Sequence, residues 1–179
     1  MPRLKPLDPS RAAGPSKEML DAVQKKLGKV PNVLRAMAHS PGVLGFYLAG
    51  SEALSKCALS PAVREQIALA VGQANGCDYC LAAHTAMGKA AGLDDEAMLA
   101  ARRGVGTDPR ATAAVVLARK IVQARGDLSD ADVAHARKAG LDDAALGEVV
   151  AVTCFNVFTN YFNHLNGTDV DFPPAPKPG

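Results

Sequence analysis

Helix start and stop signals recur along this chain and leave little room for a sheet. Ser40-Pro41 and Ser60-Pro61 each place a capping hydroxyl before a proline, a pairing typical of the first turn of a helix. Asn75-Gly76 and Gly140 follow apolar stretches and indicate helix ends. Aromatic residues make up only 4% of the sequence, which favours packed helices over a β-sandwich or barrel. We therefore expect a single-domain, all-α helical bundle.

The spacing of these signals predicts a series of short helices. Their expected ranges are 16–27, 31–39, 41–55, 62–74, 77–91, 94–103, 109–125, 130–139 and 142–164. Ser16 is the expected cap of the first helix. Residues 1–15 carry four prolines and are expected to form an extended arm on the surface or on a partner subunit. The remaining residues, 16–179, form the expected helical domain with its proline-rich tail.

Two internal echoes predict a helical repeat. The sequence Gly92-Leu93-Asp94-Asp95 recurs as Gly140-Leu141-Asp142-Asp143. In addition, Glu65 precedes Cys77 and Cys80 by 12 and 15 residues, and one other glutamate has asparagines at both offsets. These residues are Glu148, Asn160 and Asn163. The second set looks like a copy of the first that carries no thiols.

Charge and hydropathy exclude several classes of partner. The net charge is only +2 and the basic residues are scattered, so no nucleic-acid surface is expected. No run of about 18 apolar residues occurs, and the first residues lack the pattern of a signal peptide. We therefore expect a cytoplasmic protein that does not enter a membrane. In that reducing compartment, a Cys-x-x-Cys pair is typical of catalysis or metal binding.

The segment Cys77-Asp78-Tyr79-Cys80, followed by His84, has the arrangement of a thiol redox centre. On a helix, the two cysteines and His84 would project from one face. The first turn of a helix favours a thiolate, because its free N–H groups and the helix dipole attract negative charge. His84 and Glu65 could then carry the proton. These residues predict a dithiol centre that needs no cofactor and no metal.

The expected chemistry is the reduction of a peroxide. One thiolate attacks the O–O bond and becomes a sulfenic acid, and the other thiol condenses with it to a disulfide. Cys80 is the expected attacking residue because it lies one turn from His84, although the helix dipole alone favours Cys77. Cys77 would then resolve the sulfenic acid, and its place nearer the helix end predicts that it is the more open thiol.

The spacing of Glu65, Cys77, Cys80 and His84 resembles the alkylhydroperoxidase AhpD core of the carboxymuconolactone decarboxylase-like superfamily. The segments around these residues, 64–71 and 75–77, resemble the same family. Residues 30–34 and 160–173 resemble its subgroup of peroxidase-related enzymes, and the likeness covers roughly residues 27–174.

This resemblance implies an all-helical antioxidant peroxidase that forms homo-oligomers, whether dimers, trimers or hexamers. It also implies that a dithiol, such as a lipoyl group or a thioredoxin-like protein, returns the disulfide to two thiols. Glu65, Cys77, Cys80 and His84 would form its proton relay. Tyr79 stands where well-studied peroxidase members can carry a histidine. Tyr79 is therefore a fifth candidate catalytic residue that can donate a hydrogen bond there, although its ordinary pKa near 10 makes it a poor base at neutral pH.

Other interpretations of the same residues remain open at this point. The two cysteines could be buried thiols that only pack, or they could bind a metal with His84, although a structural zinc site wants a fourth ligand. The chain could belong to the decarboxylase branch of the superfamily, which would not need a redox pair. It could also be a redox- or stress-sensing oligomer without catalysis. Cys57 and Cys154 are unpaired in sequence and are expected to be packing residues.

Overall fold

A computed structural model of the chain describes residues 1–176, and within this range every regular element is a helix. A short 3-10 helix, Pro9–Arg11, precedes the α-helices. The α-helices are α1 (Gly14–Leu27), α2 (Asn32–Met37), α3 (Pro41–Ser55), α4 (Pro61–Asn75), α5 (Asp78–Ala90), α6 (Asp95–Arg103), α7 (Pro109–Ala124), α8 (Asp130–Lys138) and α9 (Asp143–Asn166). The all-α prediction is confirmed, and every expected helix is present within a few residues of its expected bounds.

The caps explain why most helix starts could be predicted and one could not. Ser40 and Ser60 accept hydrogen bonds from backbone N–H groups three residues on, as expected for capping residues. The predicted cap at Ser16 is wrong, because α1 already begins at Gly14 with Pro15 in its first turn. The Ser16 hydroxyl is buried inside the helix and donates to the carbonyl of Ala38 at 2.7 Å.

The N-terminal arm lies on its own chain. The backbone N–H of Arg3 donates to the carbonyl of Asn166 at 2.7 Å, at the end of α9. The N–H of Leu7 donates to the carbonyl of Arg35 at 3.1 Å, and the Arg35 Nε returns a bond to the Leu7 carbonyl at 2.8 Å. Hydrogen bonds from the backbone and from the Arg35 side chain therefore hold the arm against α2 and α9 of its own chain.

Helix α4 lies at the centre of the fold and packs against α5, α6, α7 and α9. Its middle residues are almost wholly inaccessible to solvent, and Ile67 and Val71 join a core built with Val115 of α7 and Val149 of α9. Burial of such aliphatic side chains is the main stabilising term in a bundle of this kind. The central position of α4 fixes the face from which the candidate site is built.

The two sequence echoes have different structural outcomes. Gly92 and Gly140 both adopt positive φ, and the aspartates two residues later cap α6 and α9, so this echo encodes one kind of helix-to-helix turn. In the first copy of the second echo, Glu65 lies on α4 and the two cysteines lie at the start of α5. The two helices are separate because Gly76 ends α4 in the left-handed conformation at φ 65°. In its second copy the same offsets lie within one continuous helix, α9.

Candidate active site

The break between α4 and α5 creates the cysteine site. Gly76 reverses the chain, Cys77 is the N-cap of α5, and Cys80 lies in the first turn. The Cys77 Sγ accepts the backbone N–H of Cys80 at 3.3 Å, as a capping side chain does. A short helix that folds back on α4 therefore begins with both sulfurs at its N-terminal end.

Cys77 and Cys80 form a disulfide, with 5.3 Å between their Cα atoms. Each side chain is 3% exposed, so the expectation that Cys77 is more open than Cys80 is wrong. What distinguishes the two is the space that each one faces. Cys80 lines a cavity inside the bundle, whereas Cys77 lines a separate cavity of about 280 Å³ beside His164 and Gly167, at the end of α9.

Glu65 of α4 and His84 of α5 form the second part of the site. The Glu65 Oε2 lies 2.7 Å from the His84 Nδ1, and the side chains are 19% and 17% exposed. A neutral histidine that donates Nδ1–H to a carboxylate leaves its Nε2 free to accept a proton. The pairing that the sequence suggested is therefore present, and it is poised for proton transfer.

Both parts of the site open into the interior cavity, which has a volume of about 250 Å³. Cys80, His84 and Tyr79 all line it, and most of the remaining wall is apolar. Its apolar lining includes Leu27, Val33, Leu34, Met87, Phe155 and Phe172. A neighbouring cavity of about 190 Å³ is lined by Glu65 and shares His84 with the first. The candidate nucleophile and base thus border the same largely apolar cavity.

Tyr79 links the cysteine helix to the C-terminal segment. Its hydroxyl donates to the Asp171 Oδ1 at 2.8 Å and accepts the backbone N–H of Val33 at 3.3 Å. Burial, and then the hydrogen bond to Asp171, raise the pKa of Tyr79 well above its ordinary value. The Phe172 ring packs edge-on against the Tyr79 ring with centroids 5.7 Å apart. The Tyr79 hydroxyl is therefore protonated at neutral pH and is held between Asp171 and Val33.

Three residues that sequence reasoning did not place in the site belong to it. The Asn163 Nδ2 donates to the Cys80 Sγ at 3.4 Å, and Tyr47 and Asn156 line both cavities. The hydroxyl of Tyr47 is held neutral, because burial and then the nearby Glu65 carboxylate raise its pKa. Helical spacing of the asparagines on α9 was the available signal, whereas nothing around Tyr47 marked it.

The remaining cysteines lie away from this site. Cys57 is half-buried, and burial raises the pKa of its thiol first, followed by the Glu148 carboxylate. Cys154 is exposed on α9, so the expectation that it packs in the core is wrong. In residues 1–176, no group of three or more His, Cys, Asp or Glu side chains is arranged to hold a metal ion. No helix of that range has both the length and the apolar character to cross a membrane.

Comparisons with known proteins agree with this geometry. Residues 41–124 match the carboxymuconolactone decarboxylase family, a range that contains α3 to α7 and all of the thiol motif. No curated protein sequence matches the chain.

Several solved structures share the fold. A peroxidase-related protein from Silicibacter sp. TM1040 is 28% identical and aligns with a TM-score of 0.80, covering 93% of this chain and 92% of its own. A peroxidase-related protein from Ralstonia eutropha JMP134 with an alkylhydroperoxidase AhpD core is 25% identical, with a TM-score of 0.85 and coverage of 95% and 92%. A variant of the debrominase Bmp8 in complex with 2,3,4-tribromopyrrole also aligns, with a TM-score of 0.80 and coverage of 94% and 91%, but at 16% identity it shows the fold alone.

Proposed function

Because this chain is an AhpD-like protein of the carboxymuconolactone decarboxylase-like superfamily, we propose that it is a thiol-dependent peroxidase. The observation that carries the proposal is the shared cavity: Cys80, one half of a paired dithiol, and His84, paired with Glu65, border the same apolar space. A site with packing thiols alone would need neither the histidine paired with a carboxylate nor the adjoining cavity.

The first step of the proposed reaction takes place at Cys80. Its thiolate attacks the terminal oxygen of a hydroperoxide, the O–O bond breaks, and the sulfur becomes a sulfenic acid. The alkoxide that leaves takes up one proton and departs as an alcohol. Asn163 supports the thiolate, since its amide donates to the Cys80 sulfur at 3.4 Å.

His84 and Glu65 manage the proton of this step. The histidine accepts the thiol proton on Nε2 while the carboxylate holds Nδ1, and the resulting imidazolium then protonates the leaving alkoxide. Glu65 is a positioning residue in this scheme, because it acts through the ring that it orients at 2.7 Å. Because both side chains have low exposure, the proton is transferred directly between His84 and the reacting groups rather than exchanged with solvent.

The second step regenerates the thiols in two parts. The Cys77 thiol attacks the Cys80 sulfenic acid, which forms the disulfide and releases water. An external dithiol, such as a lipoyl group or a thioredoxin-like protein, then reduces the disulfide to two thiols and is itself oxidised to a disulfide. Because Cys77 lines the cavity at the end of α9, we propose this side of α5 as the approach of the reductant.

We also propose that the chain works as a cytoplasmic homo-oligomer. In support, large apolar side chains are more than half exposed on neighbouring helices, a pattern that favours contact with another protein surface. They are Phe46 of α3, and Tyr161 and Leu165 of α9. Sedimentation analysis at several protein concentrations would separate a monomer from a dimer, trimer or hexamer.

The test is a single-turnover reaction of the fully reduced protein with one equivalent of cumene hydroperoxide. The expected result is loss of two thiols per chain, a Cys77–Cys80 disulfide by peptide mapping, and one equivalent of cumyl alcohol. Addition of dihydrolipoamide should then give repeated turnover. Thiols that stay unreactive in the folded protein would contradict the proposal and favour the decarboxylase branch. A disulfide that forms once, changes the oligomer and resists every dithiol would favour a sensor.

A further inference from the structure

Three hydroxyl groups belong to the wall of the interior cavity, and two of them already donate their only proton. The Tyr79 hydroxyl donates to the Asp171 Oδ1 at 2.8 Å, and the Thr159 hydroxyl donates to the Asn156 carbonyl at 2.9 Å. The third hydroxyl is that of Tyr47, which makes no hydrogen bond within residues 1–176. Tyr47 therefore carries a hydroxyl proton that is available to a bound molecule.

The Tyr47 hydroxyl can be reached from the cavity, unlike several polar groups of α9. In the described part of the chain, four side-chain polar atoms have neither a partner nor accessible surface, and all four belong to residues of α9. Tyr47 lies on α3 and is half-buried, and its unpartnered hydroxyl is not one of these four atoms. It follows that the hydroxyl keeps accessible surface at which water or a ligand can contact it.

The surroundings of Tyr47 place its hydroxyl between the two parts of the site. After burial, the Glu65 carboxylate is the cause that raises the pKa of Tyr47. The pKa of Tyr79 is raised mainly by burial, and Tyr47 is one of the smaller causes. Charges interact in this way only across a short distance. Since Tyr47 and His84 also line both cavities together, the hydroxyl lies beside the histidine that carries the proton.

The same surroundings make Tyr47 a fixed and neutral donor. Because its pKa is raised above the ordinary value near 10, the hydroxyl keeps its proton at neutral pH. The ring stacks on Phe155, with 5.2 Å between centroids and 29° between planes. A neutral O–H held in place in a largely apolar cavity is suited to stabilise an oxygen that gains negative charge during a reaction.

We propose that Tyr47 is a catalytic residue that donates a hydrogen bond to the leaving oxygen of the hydroperoxide. This inference rests on the proposed peroxidase function. The Cys80 sulfur bonds to the terminal oxygen, the O–O bond breaks, and its electron pair moves to the oxygen that carries the alkyl group. The Tyr47 O–H donates to that oxygen as the charge develops. Tyr47 keeps its own proton, and the His84 imidazolium supplies the proton that completes the alcohol.

The experiment compares two oxidants whose leaving groups differ in basicity. Cumene hydroperoxide releases a strongly basic alkoxide, whereas peroxyacetic acid releases acetate, which needs little stabilisation. Single-turnover oxidation of reduced Tyr47→Phe by cumene hydroperoxide should be about 10²-fold slower than that of the wild type, as for loss of one donor to a developing oxyanion. Its oxidation by peroxyacetic acid should remain close to the wild-type rate. Phenylalanine keeps the ring that stacks on Phe155.

The other two tyrosines of the chain provide matched controls, because the same hydroxyl is removed elsewhere. Tyr161 is 60% exposed on α9 and lines neither cavity of the site, so Tyr161→Phe should keep both wild-type rates. Tyr79→Phe removes a hydroxyl that is already bonded to Asp171, so any loss of rate should be the same for both oxidants. A variant that folds incompletely also loses both rates equally, and the ratio of the two rates is therefore specific to the leaving oxygen.

The outcomes separate this inference from the function on which it rests. If the wild-type protein is oxidised, a wild-type rate of Tyr47→Phe with cumene hydroperoxide, or an equal loss with both oxidants, would overturn the role of Tyr47 and leave the peroxidase proposal standing. Wild-type thiols that neither oxidant converts to a disulfide would contradict the proposed function, and this inference with it. A loss confined to cumene hydroperoxide would support both.

Discussion

Two regions of this molecule carry a glutamate with polar residues 12 and 15 positions later, and they use it differently. In the first region, Glu65 lies on α4, and the chain breaks at Gly76 before the cysteines begin α5. In the second, Glu148 and its two asparagines all lie on the uninterrupted helix α9. Because the chain breaks here, α5 folds back on α4, and the Glu65 carboxylate contacts the His84 ring.

The two carboxylates show what this difference does. Both oxygens of Glu148 accept backbone N–H groups, from Ala58 at 2.7 Å and from Leu59 at 2.9 Å, and so hold the turn after α3. Glu65 instead has a titratable partner and borders a cavity. Both oxygens of Glu148 are thus used in structural hydrogen bonds, while Glu65 contacts a side chain that can exchange a proton. The same residue type at the same offset is not sufficient to predict function.

The asparagines of α9 are also more than a thiol-free copy. Asn163 donates to the Cys80 sulfur, and the Asn160 Oδ1 accepts the Asn75 Nδ2 at 2.8 Å, at the end of α4. The second region therefore supports the first by direct contact. The sequence echo indicated a second copy without thiols, and in the structure this copy packs directly against the cysteine helix.

The largest expected effect is on the rate of hydroperoxide reduction, and it differs between the two cysteines although they are equally buried. Cys80→Ser should lower the rate of hydroperoxide reduction by more than about a thousandfold, because the attacking sulfur is lost. Cys77→Ser should still react once and stop at a sulfenic acid on Cys80, which dimedone would trap for mass spectrometry. Cys154→Ser is the control and should react like the wild type. Trapping of a sulfenic acid on Cys77 in the Cys80→Ser variant would reverse the assigned roles.

The next effect compares the two glutamates directly. Glu65→Gln should slow the single-turnover reaction by about 10² to 10³-fold, because the carboxylate orients the His84 ring that carries the proton. Glu148→Gln should leave the rate unchanged and lower the free energy of unfolding by about 1 kcal/mol, since an amide has one acceptor where the carboxylate had two. Stopped-flow kinetics and urea denaturation of both variants measure the contrast.

A control makes this comparison selective. The rates should be followed over a range of pH, because a disturbance of the histidine that carries the proton changes the shape of the profile, whereas a loss of stability does not. Equal kinetic losses in Glu65→Gln and Glu148→Gln would contradict the distinction between a reactive and a structural carboxylate.

A smaller effect concerns the contact between the two regions. Asn163→Leu removes the donor to the Cys80 sulfur and should slow its reaction with hydroperoxide and with iodoacetamide by about tenfold, the contribution of one hydrogen bond to a charged group. Asn160→Leu is matched in size and helix but contacts Asn75. The pre-reduced Asn160 variant should therefore keep the wild-type rate as long as it stays folded, which its melting curve checks.

Much of the fold could be predicted because it depends on local signals. Ser40, Ser60 and the Asp94 and Asp142 turns specify helix starts through contacts within three residues, and the structure has all of them. Ser16 was misassigned because Pro15 also fits a first helical turn, and a long-range bond to Ala38 takes its hydroxyl.

The candidate site also has residues that local signals predicted and residues that they did not. Cys77, Cys80 and His84 share one short helix, so their spacing in sequence indicated their proximity. The contributions of Tyr47 and Asn156 depend instead on how α3 and α9 pack against that helix, and no local pattern encodes this. Equal burial of the two thiols was missed for the same reason, because distance from a helix end says nothing about what covers it.

The smallest effect is expected at Tyr79, whose counterpart in the second region is Phe162. Tyr79→Phe makes the two positions alike and removes the hydroxyl that bridges Asp171 and Val33. The free energy of unfolding should fall by about 1 to 2 kcal/mol, since a buried N–H and one carboxylate oxygen lose their partner. Because Asp171 anchors the segment that carries Phe172, a wall of the cavity, KM should rise more than kcat falls.

The pH dependence distinguishes a positioning role of Tyr79 from a catalytic one. Burial and Asp171 raise its folded-state pKa above the ordinary value near 10, so its stabilisation is fully present below that pH and is lost only as the pH rises through the folded-state pKa. Between about pH 5 and 9 the hydroxyl stays neutral, and the kcat profiles of wild type and Tyr79→Phe should have the same shape. Loss of one limb from the profile of the variant would show that Tyr79 carries a proton in the reaction and is catalytic rather than positioning.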